Sequence, residues 1–113
     1  MVKNYIPKQG DVVFLDFNPT KGHEQNGLRP AVVISTNVFN QNTKMVIVCP
    51  ITSNEKEFPT HYRLEDTKNV HGSVLCEHII SIDYEIRNLK YVEKLSDNDF
   101  ISIITLLNAC IEG

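Results

Sequence analysis

Apolar and polar positions alternate in short blocks along most of this chain and change to a helical stripe only near its end. Val12-Val13-Phe14-Leu15-Asp16-Phe17 reads as a strand, and Ala31-Val32-Val33-Ile34 as another. Met45-Val46-Ile47-Val48-Cys49-Pro50-Ile51 is a continuous apolar run rich in β-branched residues, the pattern of a strand covered on both faces. Thr60-His61-Tyr62-Arg63-Leu64 alternates and predicts a strand with one wet face. Ser73-Val74-Leu75-Cys76-Glu77, Ile79-Ile80-Ser81-Ile82 and a short Tyr91-Val92 strand follow. Five to seven short strands separated by Asn, Gly and Pro clusters predict a mainly β fold closed into a small barrel.

The C-terminus obeys a different period. Ser96 followed by Asp97 and Asp99 is a helix start, with carboxylates in the first turn where the helix dipole favours them. Phe100, Ile103, Ile104, Leu107, Cys110 and Ile111 share one helical face, widened by Leu106, while Ile101 sits off it. An apolar arc of roughly 160° is wider than a surface helix needs. Two readings follow: tight packing on the barrel, or a second buried contact in a homodimer.

Between the first two strands lies a polar segment from Asn18 to Leu28, with Gly22-His23-Glu24-Gln25-Asn26-Gly27 at its centre and Arg29 where the next strand begins. Loops of this length in a compact domain are functional or disordered. A polar loop rooted beside an arginine suits an anionic ligand. The 113 residues predict a single domain, 1–113, large enough to close one core. A net charge of −3 argues against coating nucleic acid by bulk electrostatics, yet Lys21, Arg29, Lys56 and Arg63 all fall in or beside the first two long loops. Cys49, Cys76 and Cys110 form no C-x-x-C pair and are expected to be buried reduced thiols, which predicts a cytoplasmic protein. No run approaches the roughly 20 apolar residues of a membrane span, and no leader pattern opens the chain.

Glu24-Gln25-x-Gly27-x-Arg29-Pro30 before an apolar strand, then Pro50-Ile51-Thr52, then Ser81-Ile82-Asp83, resembles the MazF/PemK/Kid family of toxins from toxin–antitoxin pairs. The similarity runs from Gly10-Asp11-Val12 through the terminal helix. It implies an SH3-like/Kid-type twisted barrel, a homodimer, and cofactor-free, metal-independent, sequence-specific endoribonuclease activity on single-stranded RNA. It also implies a MazE-like antitoxin whose extended acidic tail fills the dimer groove and displaces loop 18–28. By position, Arg29 and Thr52 match the family's catalytic pair and Glu24 a loop carboxylate implicated in catalysis. Lys21, His23, Gln25, Asn26, Lys56, Phe58, His61, Glu77 and His78 complete the expected RNA-contacting set. The chain departs from the family at His23, often serine, and at Ile80, often a cation. Asp83 is therefore left without the basic neighbour that some members pair with it.

The chemistry suits these residues. RNA carries its own nucleophile, the 2′-hydroxyl. Its cleavage needs a proton acceptor, stabilisation of charge at phosphorus and help for the departing 5′-oxygen. The planar guanidinium of Arg29 matches phosphoryl oxygens and stays charged, so it stabilises rather than donates a proton. Thr52 offers a hydroxyl hydrogen bond to the same phosphate. Glu24 is placed to accept the 2′-hydroxyl proton, and His23 can act as acid or base near neutral pH. Each also has a purely structural reading: a loop brace for Arg29, a turn cap for Thr52, an inert surface glutamate for Glu24. His61, His71, His78 and Glu77 fit no zinc spacing, so no metal site is expected. Phe17, Phe58 and Tyr62 are candidates for base stacking, with Phe17 expected in the core and Phe58 exposed. The alternative from another class is a non-catalytic toxin of the same fold that inhibits a protein such as DNA gyrase. Such a protein would use its terminal helix and would not need the Arg29/Thr52 pair.

Overall fold

The computed structural model describes residues 5–17, 28–54 and 56–113. Along the chain come β1 (Asp11–Asp16), β2 (Leu28–Val33), α1 (Asn37–Thr43), β3 (Met45–Thr52), β4 (His61–Arg63), β5 (Ser73–Leu75), β6 (Ile80–Asp83), β7 (Lys90–Lys94) and α2 (Asp97–Glu112). The strands pair antiparallel in the order β4-β5-β3-β2-β1-β7, and β6 adds to β3 off this path.

The mainly β architecture with a terminal helix agrees with the sequence pattern. The sheet is nevertheless open rather than a closed barrel, because β4 and β7 end the path without pairing to each other. A carboxylate clasp joins these regions instead. Glu93 of β7 accepts the backbone N–H groups of Lys68, Asn69 and Val70 at 3.0, 2.7 and 3.0 Å, tying the segment after β4 to the β7 edge. Burial works to raise the Glu93 pKa, but these three donors and nearby His71 prevail and hold it below the usual carboxylate range.

β3 is the hub. Its first half pairs with β6, from Met45↔Asp83 to Val48↔Ile80, and its last two residues pair with β5 as Ile51↔Val74 and Thr52↔Ser73. Pro50 sits at the changeover between these partners, where its missing N–H costs the ladder least. Alternation along the strands makes two buried clusters on opposite faces. Val12, Val32, Cys49, Ile51 and Val74 meet Ile103 and Leu107 of α2 on one face. Val13, Leu15, Ala31, Val33, Val46 and Val48 meet Ile82 and Tyr84 on the other.

α2 starts as its sequence predicts. Ser96 caps it by accepting Asp99 N–H at 3.0 Å. The fully buried Asp99 carboxylate accepts the Tyr62 hydroxyl at 2.6 Å and the N–H groups of Asp66 and Glu65 at 2.9 and 3.2 Å. This network fastens β4 and the following turn to the positive end of the helix. The predicted apolar face is buried only along its first part. Phe100, Ile103, Ile104 and Leu107 pack inward, whereas Cys110 and Ile111 are exposed. The expectation of three buried thiols thus fails at Cys110, because the last turn of α2 runs past the sheet. Burial pushes the Cys49 and Cys76 thiols up to about 12, so both stay protonated. Among the described residues no helix is long and apolar enough to cross a membrane.

Candidate active site

Arg29 sits in the second pair from the loop end of β2, opposite Leu15 of β1, and is exposed. β2 and β3 pair as Val33↔Val48, Val32↔Cys49 and Ala31↔Pro50. The same count carried two residues further sets Arg29 opposite Thr52, the last residue of β3. Both lie an even number of residues from Ala31 and Pro50, so both belong to the face of the second cluster. Phe17, which packs against that cluster, stands at the end of β1 beside them. The three strands therefore converge on one cavity of about 360 Å³ lined by Phe17, Arg29, Pro50, Leu75, His78 and Ile80.

Among the described residues no carboxylate pairs with the Arg29 guanidinium. An exposed guanidinium over an apolar floor, with no carboxylate partner among the described residues, has the geometry and charge to bind an oxyanion. Thr52 Oγ1 accepts the N–H of Asn54 at 3.1 Å, and Asn54 Oδ1 accepts the N–H of Lys56 at 2.9 Å. These two local turns fix the Thr52 oxygen as an acceptor and leave its proton to donate elsewhere. The strand end is held close from the other side by Gly72, whose φ of +137° brings it against the Thr52 carbonyl. Only glycine fits there: a Cβ would lie 2.2 Å from that oxygen.

A second group stands next to the cavity. Glu77 accepts the Thr60 hydroxyl at 2.7 Å and faces His61 Nε2 at 3.1 Å. Burial tends to raise the Glu77 pKa, yet the hydrogen bonds from Thr60, its own backbone and His61 hold it below the usual carboxylate range. An ionised Glu77 places the hydrogen on Nε2 and leaves His61 Nδ1, which is buried without a partner, as a bare lone pair. Phe58 is 56% exposed, as expected, and its ring lies tilted against His61 with centroids 5.2 Å apart.

The structure thus brings Arg29 and His78 to one cavity, sets Thr52 two residues past the lining Pro50 on the same face, and gathers Phe58 and His61 with Glu77 behind them at a second, smaller cavity, with Lys56 exposed on the connecting loop. Glu24, Lys21, His23, Gln25 and Asn26 lie outside the described residues. Asp83 pairs with Met45 at the other end of β3, seven residues and about 23 Å of strand from Thr52, and caps a turn by accepting Glu85 N–H. Phe17, expected in the core, serves both core and cavity. Arg63 stands out in the sequence only as a cation beside the long loops, and Ser73 and Gly72 had no place in the expected site. Only the strand register reveals them. No group of three His, Cys, Asp or Glu side chains gathers as metal ligands among the described residues.

Residues 8–111 match the family of PemK-like, MazF-like toxins of type II toxin–antitoxin systems. The endoribonuclease toxin MazF of Escherichia coli K12 is 39% identical over 87 residues, covering 77% of this chain and 78% of that protein. The fold superposes on crystalline MazF from Deinococcus radiodurans with a TM-score of 0.84 at 32% identity, covering 97% of this chain and all of the other. It also matches a chain of the MazE–MazF complex from the same organism, at a TM-score of 0.81 and 28% identity over 94% of this chain and 95% of that one.

Proposed function

This chain belongs to the PemK-like, MazF-like toxin family of type II toxin–antitoxin systems, and on that footing we propose that its Arg29–Thr52 cavity cleaves single-stranded RNA by attack of the 2′-hydroxyl on the adjoining phosphate. It is an endoribonuclease toxin, like the relatives it matches. In the proposed reaction the 2′-oxygen forms a bond to phosphorus while the bond to the 5′-oxygen breaks. The products are a 2′,3′-cyclic phosphate and a 5′-hydroxyl end. Glu24 accepts the 2′-hydroxyl proton, and the departing 5′-oxygen takes a proton from His23 or water. Arg29 holds the charge gathered on the phosphoryl oxygens, a contribution of roughly 3–4 kcal/mol for a preorganised donor. Thr52 donates its free proton to the same group. The step uses no metal.

The observation that carries this reading is the Arg29 guanidinium, exposed and without a carboxylate partner among the described residues, on the face of β2 that the register count aligns with Thr52. The protein is proposed to act in the cytoplasm as a homodimer, held in check by a MazE-like antitoxin. The exposed Cys110 and Ile111 on the apolar face of α2 support a second chain covering what one chain leaves bare. The MazE–MazF complex among the structural matches supports the antitoxin. Purified protein incubated with a long defined RNA, with and without excess EDTA, tests the reading. Equal cleavage in both, with 5′-hydroxyl ends at a recurring short sequence, is the expected result. Intact RNA, or cleavage abolished by EDTA and restored by Mg²⁺, would overturn it.

A further inference from the structure

A second, smaller cavity of about 210 Å³ opens on the β4 side of Thr52, lined by Glu57, Phe58, His61, Arg63 and Ser73. The sheet register explains why these residues meet. Thr52 pairs with Ser73, and Ser73 pairs with Arg63. Arg63, Ser73 and Thr52 therefore stand in one transverse row, whose other end the register count extends to Arg29. Residues in such a row share a face, and three strand spacings put Arg63 about 14 Å from Arg29 along the sheet. The two arginines thus present guanidinium groups to the same surface on either side of Thr52.

Three features give this cavity the character of a ligand site. Arg63 is exposed, and among the described residues no carboxylate pairs with it. Phe58 is exposed yet backed by His61, which Glu77 pins from behind while Thr60 pins Glu77. An exposed ring with a fixed backing is a stacking platform. The volume is below the roughly 300 Å³ at which clefts for whole small molecules begin, and suits one ring system of a longer ligand.

We propose that this cavity is a nucleotide subsite that takes one base of the RNA strand on Phe58 and a neighbouring phosphate on Arg63, and so sets part of the sequence at which the strand is cut. The proposal rests on the endoribonuclease reading above, with the scissile phosphate at Arg29 and Thr52. Glu57 and Ser73 supply oxygen acceptors at the rim, which favour a base carrying an exocyclic amino group over uracil. His61 is a positioning residue: it holds Phe58 and does not itself reach the reacting phosphate.

The test compares the full-length wild type with Phe58→Ala, Arg63→Ala and Arg63→Lys. Each is given a random-sequence single-stranded RNA pool whose cleavage ends are sequenced. Affinity is then measured across a salt series on a 2′-O-methylated copy of the preferred site, which lacks the nucleophile. Melting curves establish that each variant is folded. Phe58→Ala and Arg63→Ala are expected to lose selectivity at one nucleotide position away from the cut bond and to bind about tenfold more weakly. The loss should fall on KM more than on kcat. Arg63→Ala should also lower the slope of log affinity against log salt by roughly 0.7, and Arg63→Lys should restore that slope. Wild-type cleavage with defined selectivity that both alanine variants retain, at unchanged affinity and slope, overturns the subsite alone. RNA left whole by the wild type overturns the parent reading and this one with it.

Discussion

Gly72→Ala perturbs the fold and the proposed site at a single point. Gly72 has a φ of +137°, a region that side chains rarely enter, and its missing Cβ would lie 2.2 Å from the Thr52 carbonyl oxygen and 3.0 Å from its carbon. The obstruction is backbone, so no rotamer change relieves it. Moving from 2.2 Å to the 3.4 Å at which ordinary contact begins requires a retreat of about 1.2 Å. That retreat strains the Thr52↔Ser73 pair and the 2.9 Å bond from Leu64 N–H to the Gly72 carbonyl. Backbone strain of ~1–3 kcal/mol and a weakened hydrogen bond of about 1 kcal/mol together place the loss near 3 kcal/mol. For a domain of this size that is a fall in Tm of roughly 10–15 °C by circular dichroism. A displacement of about 1 Å at a reacting centre also costs on the order of 10² in rate, measured well below both melting temperatures. Gly10→Ala is the control. Its φ of +91° carries the same kind of strain, but its Cβ would meet only the flexible Lys94 side chain at 3.7 Å, far from Thr52. It should lose stability and keep cleavage. If folded Gly72→Ala cleaves at the wild-type rate, Thr52 is not held at the reacting phosphate. If its Tm is also unchanged, the close approach itself is wrong.

Two further outcomes follow from the carboxylates of Asp99 and Glu93, which both accept backbone N–H groups. Asp99→Asn keeps the shape but turns an amide toward the donors Tyr62 Oη, Glu65 N and Asp66 N. It should cost about 2–3 kcal/mol in urea unfolding, whereas exposed Asp97→Asn should change stability by less than about 0.5 kcal/mol. Glu93 has its pKa lowered in the folded protein, so its stabilisation is present above the unfolded value near 4.5 and is lost as pH falls through the folded value. Glu93→Gln should therefore be less stable than wild type at neutral pH and converge with it in acid. A gap that stays constant down to pH ~2 would contradict the clasp.

Much of the fold was legible because its signals are local. The run Met45–Ile51 announced a strand covered on both faces, and Ser96 with Asp97 and Asp99 announced the start of α2. α1 was not foreseen. Asn37, Asn40, Asn42 and Thr43 are poor helix formers and the segment has no apolar period. The helix stands instead on the Thr36 cap and on buried Asn40, whose amide donates to the Pro7 carbonyl at 2.8 Å. Closure of the sheet was misjudged because strand count does not reveal that Glu93, rather than a ladder, bridges the open ends. In the proposed site, Arg29 and Thr52 were singled out by motif, and the strand register sets them opposite each other. Ser73 and Gly72 were not, and Arg63 stood out only as a loop-side cation, since their relation to Thr52 exists only in the pairing of β3, β4 and β5. The pairing of β6 with β3 shows why Asp83, three residues past Ile80, ends up at the far end of β3.

At the centre of the proposed reaction an exposed guanidinium meets the phosphate at which the RNA chain breaks. Single-turnover cleavage of one mapped RNA site by wild type and by Arg29→Ala measures this directly, with melting curves alongside. Arg29 is exposed and holds no ion-pair partner among the described residues, so the variant should melt within a few degrees of wild type and cleave at least ~10²-fold more slowly. A folded Arg29→Ala protein that cuts the same bond at close to the wild-type rate would contradict it.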